Sequence, residues 1–207
     1  MQRTAGSSRA YEFTKGEHKV LGMYLFFDTE TTGLPKTYSA STSNLDNWPR
    51  VLQLASLLYD PSGVLLLSSS HIIKPEDFII PEKATAIHGI TNEKANKEGI
   101  PLIKVLTEFV SDYLAPAGTI ISHNLYFDKK VIGAELLRHN FLGVLAGKKK
   151  ICTMLGTRNL FAGHKWPSLS ELYYLLFHSK IEEAHDAYVD IQATAKCFWE
   201  LRKKGVL

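Results

Sequence analysis

The hydrophobic positions of this chain change period about a third of the way along, from strand-like runs to helical spacing. Residues 23–30, MYLFFDTE, form an apolar run that finishes in acids and read as a first strand. Residues 51–59, VLQLASLLY, read as a second. The DPSG at 60–63 has Pro at the second turn position and Gly at the fourth, where a β-turn favours them. Residues 64–73 then form the partner strand, and the three segments predict an antiparallel meander. Between the first two strands, residues 35–50 make a polar connection with Pro35 and Pro49 near its ends, longer than a hairpin needs.

Past residue 80 the pattern is helical. Residues 82–88 and 101–114 predict helices, and TIIS at 119–122 a short strand. Asn124 is placed as the N-cap of a helix running to about 139. Another helical segment, 168–177, starts at Ser168. Ala187, Ile191, Thr194, Phe198 and Leu201 recur at helical spacing, so 186–204 predicts a last helix with one buried stripe. The order β-β-β-α-β-α-α predicts an α/β fold, a mixed β-sheet flanked by α-helices. Residues 1–22 have little apolar content and read as a loose tail, which leaves 23–207 as a single folded domain.

Composition narrows the class without naming a function. At 207 residues and 45% hydrophobic, the chain can bury a sizeable core without disulfides. Its two cysteines, Cys152 and Cys197, have no metal-ligand spacing, which predicts a cytoplasmic location. No apolar stretch reaches the roughly 18 residues of a membrane span, and the start lacks the pattern of an export signal. A net charge of +3 permits nucleic-acid binding but does not identify it; a basic footprint has to be local.

The candidate chemistry is carried by acids. Asp28 and Glu30 alternate along the first strand and so share one face, with Thr29 on the other. Like charges so close are costly unless a cation neutralises them, although a polar strand end is the plainer reading. Asp128 falls in the first turn of the helix after the fourth strand, where a carboxylate is favourable against the helix dipole in any case. His185 and Asp190 open the last helix, with Asp186 as its N-cap. Residues five apart on a helix differ by about 140°. His185 must therefore stand on the preceding loop, while Asp190 projects from the second turn. A ligand held on the helix and a movable proton acceptor on the loop suit acid–base chemistry.

Together, FDTETTGL at 27–34, HNLYFD at 123–128 and HDAYVD at 185–190 resemble the three motifs of the DEDDh 3′→5′ exonucleases. That family has the ribonuclease H-like fold and includes the proofreading subunit of the bacterial replicative DNA polymerase. ATAIHGIT at 84–91 and LSELYYLLF at 169–177 resemble its connecting segments, so the likeness runs from about Met23 to Leu201. The resemblance implies that Asp28, Glu30, Asp128 and Asp190 bind two divalent cations, Mg²⁺ or Mn²⁺, and that His185 is the general base. It implies release of nucleoside 5′-monophosphates from a nucleic acid with a free 3′ end, DNA being favoured. Thr31, Thr32, Gly33 and Leu34 are expected to hold the 3′ terminus, with His88 and Phe127 lining the pocket. Leu34 reads equally as a turn residue covering the core edge, and His88 as a structural residue.

Other stretches have plainer readings. Lys148–Lys150 read as a solvated loop rather than a phosphate grip. Lys165 with Trp166 could stack on nucleic acid, or Trp166 could anchor its loop in the core. His123 and Asn124 are expected to be a supporting contact and a cap. The 35–50 loop is longer than in the shortest members and is expected beside the active site, where it can admit or block a second strand. Within the class, an RNA exonuclease or oligoribonuclease is the alternative. A non-catalytic nucleic-acid-binding module is less favoured, because all five residues are intact. No long segment follows the last helix, so a free-standing enzyme is expected ahead of one bound to a DNA polymerase partner.

Overall fold

Strand β1 (Met23–Thr31) runs down the middle of a five-stranded sheet of order β3-β2-β1-β4-β5. This is the computed structural model, which describes residues 22–182 and 185–207. The tail expected over residues 1–22 therefore lies outside the described residues, apart from Gly22. As the spacing predicts, β2 (Val51–Tyr59) pairs antiparallel with β1, and β3 (Leu65–Ile72) pairs antiparallel with β2. Strand β4 (Ala117–Ser122) returns parallel to β1 on its other side.

The alternation of β1 sorts its side chains into two cores. Leu25 and Phe27 face one layer, with Leu54, Leu58 and Ile120. That layer is covered by α3 (Leu102–Glu108), the π-helical turn Phe109–Leu114 and α4 (Leu125–Arg138). Phe26 faces the other layer, with Ala55, Leu57 and Ile121 against Ala187, Ile191, Ala195 and Phe198 of α7 (Ala187–Lys203). Fully burying an apolar side chain of this size contributes roughly 1.5–3 kcal/mol. The predicted stripe on the last helix is buried throughout. Among the described residues, no helix is long and apolar enough to cross a membrane.

Helix α1 (Glu82–His88) has the expected bounds, but four features differ from the sequence reading. Helix α2 (Asn92–Glu98) was not predicted; it buries only Ala95 and depends on Thr91, whose hydroxyl accepts the Lys94 N–H. The helix expected over 101–114 widens after Glu108 into a π-turn, with Ala115 N–H bonding to Val110 O, and this keeps Phe109, Tyr113 and Leu114 all buried. The lysine run is not a loop: Lys149–Cys152 form β5, an edge strand parallel to β4. Lys148 donates to the carbonyl of Ala117 at 2.7 Å. Asn124 is not a side-chain cap; it takes φ 70°, a left-handed turn that asparagine tolerates, and joins β4 directly to α4. The later helices are α5 (Thr153–Thr157) and α6 (Leu169–Phe177), the latter starting in the Ser168–Glu171 capping box.

Candidate metal centre

Parallel β1 and β4 end on the same edge of the sheet, the edge where open α/β sheets place their sites. Asp28 and Glu30 continue the face that carries Phe26, so they point toward α7. That helix supplies Asp190. Asp28, Glu30 and Asp190 each offer an oxygen, and these oxygens all lie within 4.8 Å of one another.

Asp128 arrives from α4, on the opposite layer, and is 3% exposed. It is held there by Thr29, whose hydroxyl donates to its Oδ1 at 2.8 Å. The strand alternation that aims Asp28 and Glu30 toward α7 thus aims Thr29 at the fourth acid. The sequence reading put Thr29 on the far face and gave it no partner, since the partner lies 99 positions away.

Among the described residues, these acids have no lysine or arginine partner. Burial, followed by the charges of Asp128, Asp190, Glu30 and Asp186, holds Asp28 well above the usual carboxylate range. Burial and the charges of Asp190, Asp128 and Asp186 push Glu30 up to about 8. Asp128 is pushed up to about 7 by burial, against the opposing hydrogen bond from Thr29. Asp190 is raised by burial, which outweighs the backbone N–H of His185. Asp28, Glu30 and Asp190 are so placed that they could hold a metal ion. The donors are hard oxygens with no sulfur among them, and they fit Mg²⁺ or Mn²⁺.

His185 stands before α7 with φ 74°, exposed to solvent as expected of a loop residue. Its backbone N–H donates to Asp190 Oδ2 at 3.3 Å. Asp190 itself belongs to the first turn of α7, not the second, because Asp186 is the cap and Asp190 N–H closes on its carbonyl at 2.9 Å.

The turn after β1 is tied down at both threonines. Thr31 Oγ1 donates to Gly33 O at 2.7 Å, and Thr32 Oγ1 accepts the Arg50 N–H at 3.0 Å. Gly33 has φ 143°, where an L side chain is strained even though the space is open. Leu34 is 73% exposed and does not cover the core edge. His88 Nδ1 accepts the Ile90 N–H at 3.0 Å, which leaves the proton on Nε2. Burial lowers its pKa against the opposing Thr31 backbone, and its buried Nε2 faces that backbone without a well-formed hydrogen bond among the described residues. Phe127 is half-buried against the α4-side core.

The supporting residues divide. His123 bonds to Thr153 Oγ1 and Pro167 O, a tie between β4, α5 and the start of α6. Trp166 is 64% exposed, so it does not anchor its loop, and Lys165 pairs with Glu171. The 35–50 loop is a fixed wall against α4. Tyr126 Oη donates to Tyr38 O at 2.6 Å, Lys130 Nζ to Ala40 O at 3.0 Å, and Arg138 Nη2 to Leu45 O at 2.6 Å.

A family model described as exonuclease, RNase_T, matches residues 25–198. The chain is 28% identical to an uncharacterized exonuclease of Escherichia phage 186 over 87% of this chain and 89% of that protein. It is 25% identical to the PolC-type DNA polymerase III of Latilactobacillus sakei, over 88% of this chain but 11% of the polymerase. E. coli exonuclease I in complex with a dT13 oligonucleotide has the same fold, with a TM-score of 0.70 at 22% identity, over 88% of this chain and 41% of that one. The zinc-bound form of that enzyme with single-stranded DNA gives 0.71 at 21% identity. The chain thus spans a small part of the polymerase and less than half of exonuclease I.

Proposed function

The chain belongs to the exonuclease family, of the DEDDh 3′→5′ type, and we propose that it removes nucleoside 5′-monophosphates from DNA in a reaction that requires Mg²⁺ or Mn²⁺. The observation that carries this is the carboxylate cluster itself: oxygens of Asp28, Glu30 and Asp190 within 4.8 Å, with buried Asp128 near Asp28 and Glu30, and no lysine or arginine paired with these acids among the described residues. In this reading the four acids hold two cations. Bound there, the cations supply Lewis-acid stabilisation of the phosphate and leaving oxygen and make a water more acidic.

The other steps belong to side chains. His185, exposed on its loop, takes the proton from the attacking water. The Thr31–Leu34 turn offers its main chain to the 3′ end, and exposed Leu34 lies against the terminal base. Neutral His88 donates through Nε2 to the terminal nucleotide, and Phe127 lines the pocket. The cysteines support a cytoplasmic setting, since both are free. The likeness of exonuclease I in its oligonucleotide complexes supports DNA as substrate, and the segment of PolC that this chain resembles supports action beside a DNA polymerase.

One assay tests the reading. Single-stranded DNA, duplex DNA and RNA, each labelled at the 5′ end, are incubated with Mg²⁺, with Mn²⁺ and with chelator. The expected result is a descending ladder from single-stranded DNA that chelator abolishes and a 3′-phosphate blocks. Faster decay of RNA reassigns the substrate, and cutting of a closed circle contradicts recognition of a 3′ end.

A further inference from the structure

Gln53 has no part in the chemistry above, yet it is a polar side chain only 5% exposed beside the site. It lies on β2 directly opposite Glu30 in the antiparallel ladder. Its amide is fully committed. Nε2 donates to Asp186 Oδ2 at 3.1 Å and to Ser70 Oγ at 3.1 Å, while Oε1 accepts the Ala187 N–H at 3.2 Å. The partners dictate this orientation: a carboxylate requires a donor and a backbone N–H an acceptor, so flipping the amide sets oxygen against oxygen.

Asp186 is equally committed. Its Oδ1 accepts the N–H groups of Tyr188 at 2.9 Å and Val189 at 3.3 Å, which caps α7. One carboxylate therefore starts the helix and fastens it to β2. The apolar contacts of α7 with Phe26 and Ile121 hold it against the sheet, but hydrophobic burial is non-directional and does not fix how the first turn is placed along the strand. The hydrogen bonds of Gln53 do. That turn carries Asp190, and Asp190 in turn receives the His185 N–H.

We infer that Gln53 is a positioning residue, which locks the first turn of α7 beside Glu30 and so sets where Asp190 and His185 stand relative to the acids of β1. The inference rests on the cation-dependent reading of that site. It explains why a neutral amide occupies position 53: a carboxylate there repels Asp186, and an apolar side chain leaves the Ala187 N–H and Asp186 Oδ2 without their partner.

The test is a pair swap read in two ways. Wild type, Q53E, D186N, Q53E/D186N and Q53M are stripped with chelator. Mn²⁺ affinity is measured by calorimetry, and kcat and KM on 5′-labelled single-stranded DNA. Q53E is expected to weaken Mn²⁺ binding and kcat by about 10- to 100-fold, the usual effect of losing a residue that orients metal ligands, with KM for DNA unchanged. In Q53E/D186N the carboxylate introduced on β2 accepts from both the Ala187 N–H and the amide introduced at the helix cap, and both values return toward wild type. Q53M keeps the volume, loses every bond and falls with Q53E. If Q53E does not fold, Q53M and the double variant carry the test. Wild-type behaviour in Q53M overturns the inference, as does a double variant that melts like wild type but stays as poor as Q53E. A wild type that binds Mn²⁺ yet leaves all nucleic acid intact removes the proposed function, and the Mn²⁺ affinities still decide the role of Gln53. A wild type that binds no Mn²⁺ removes both.

Discussion

Asp128 and Glu135 lie two turns apart on one face of α4, both buried, and the fold treats them in opposite ways. Glu135 is 0% exposed and is neutralised by the protein. Arg50 Nε lies 2.9 Å from Oε1, Arg138 Nη1 lies 3.1 Å from Oε2, and Val51 N–H donates at 3.1 Å. Asp128 has the Thr29 hydroxyl at 2.8 Å and backbone hydrogen bonds, but no lysine or arginine pairs with it among the described residues, and its charge acts on Asp28 and Glu30. Where a buried acid braces the 35–50 loop, arginines are supplied. Where acids gather at the strand tip, no arginine pairs with them among the described residues. In the proposed function, a cation from solution supplies the missing charge.

The same substitution, acid to amide, should therefore act with opposite sign at the two positions. Asp128→Asn is expected to abolish turnover while raising the melting temperature of the chelator-stripped protein, because it removes an unneutralised buried charge. Glu135→Gln is expected to destabilise the fold by about 3–5 kcal/mol, the usual loss when one partner of a buried pair is removed. Thermal melts of the two variants in chelator check this. If both variants shift the melt in the same direction, the distinction between the two regions is wrong.

Within the site, His185 and Asp190 should separate next. His185→Ala is expected to lower kcat by about 10²–10⁴-fold, the usual range for a positioned proton acceptor, with Mn²⁺ affinity intact. Asp190→Ala should lose Mn²⁺ affinity together with rate. Calorimetry beside the nuclease assay reads the difference. Full activity in His185→Ala makes the loop histidine a surface residue.

Smaller, but specific in sign, is the pH dependence of the stripped protein. Glu30 at about 8 and Asp128 at about 7 are raised above their ordinary 4.5 and 3.8. Between those limits the unfolded chain binds fewer protons than the folded one, so stability falls as pH rises. The contribution is fully present below about pH 4 and lost as pH climbs through 7 and 8. Melts over that range should decline in chelator and flatten with Mn²⁺; a decline unaffected by Mn²⁺ would place the titrating groups elsewhere.

The contrast between these acids also marks what a sequence can show. Asp28 and Glu30 were legible because strand alternation is local, and β2 and α1 because their apolar pattern or flanking turns carry the signal. Helix α2, NEKANKE, was missed because it has almost no apolar face and owes its start to one threonine. Strand β5 was missed because its lysines read as solvated and its pairing comes from β4. The bond of Thr29 to Asp128, and that of Gln53 to Asp186 across 133 positions, exist only after the layers close. At Asn124 the residue type was read correctly as a helix boundary, but a left-handed backbone took the place of the cap.

The proposal that the strand-tip acids bind a cation, where no lysine or arginine pairs with them among the described residues, is tested most directly by a thermal melt of chelator-stripped protein across a Mn²⁺ titration. Wild type should gain stability with each increment, about 2.7 kcal/mol at a hundredfold excess over the dissociation constant if one site dominates. Asp128→Asn should gain far less, and nuclease activity should appear over the same Mn²⁺ range as the wild-type gain. A wild-type melt that ignores Mn²⁺, with nucleic acid degraded equally in chelator, would contradict the account.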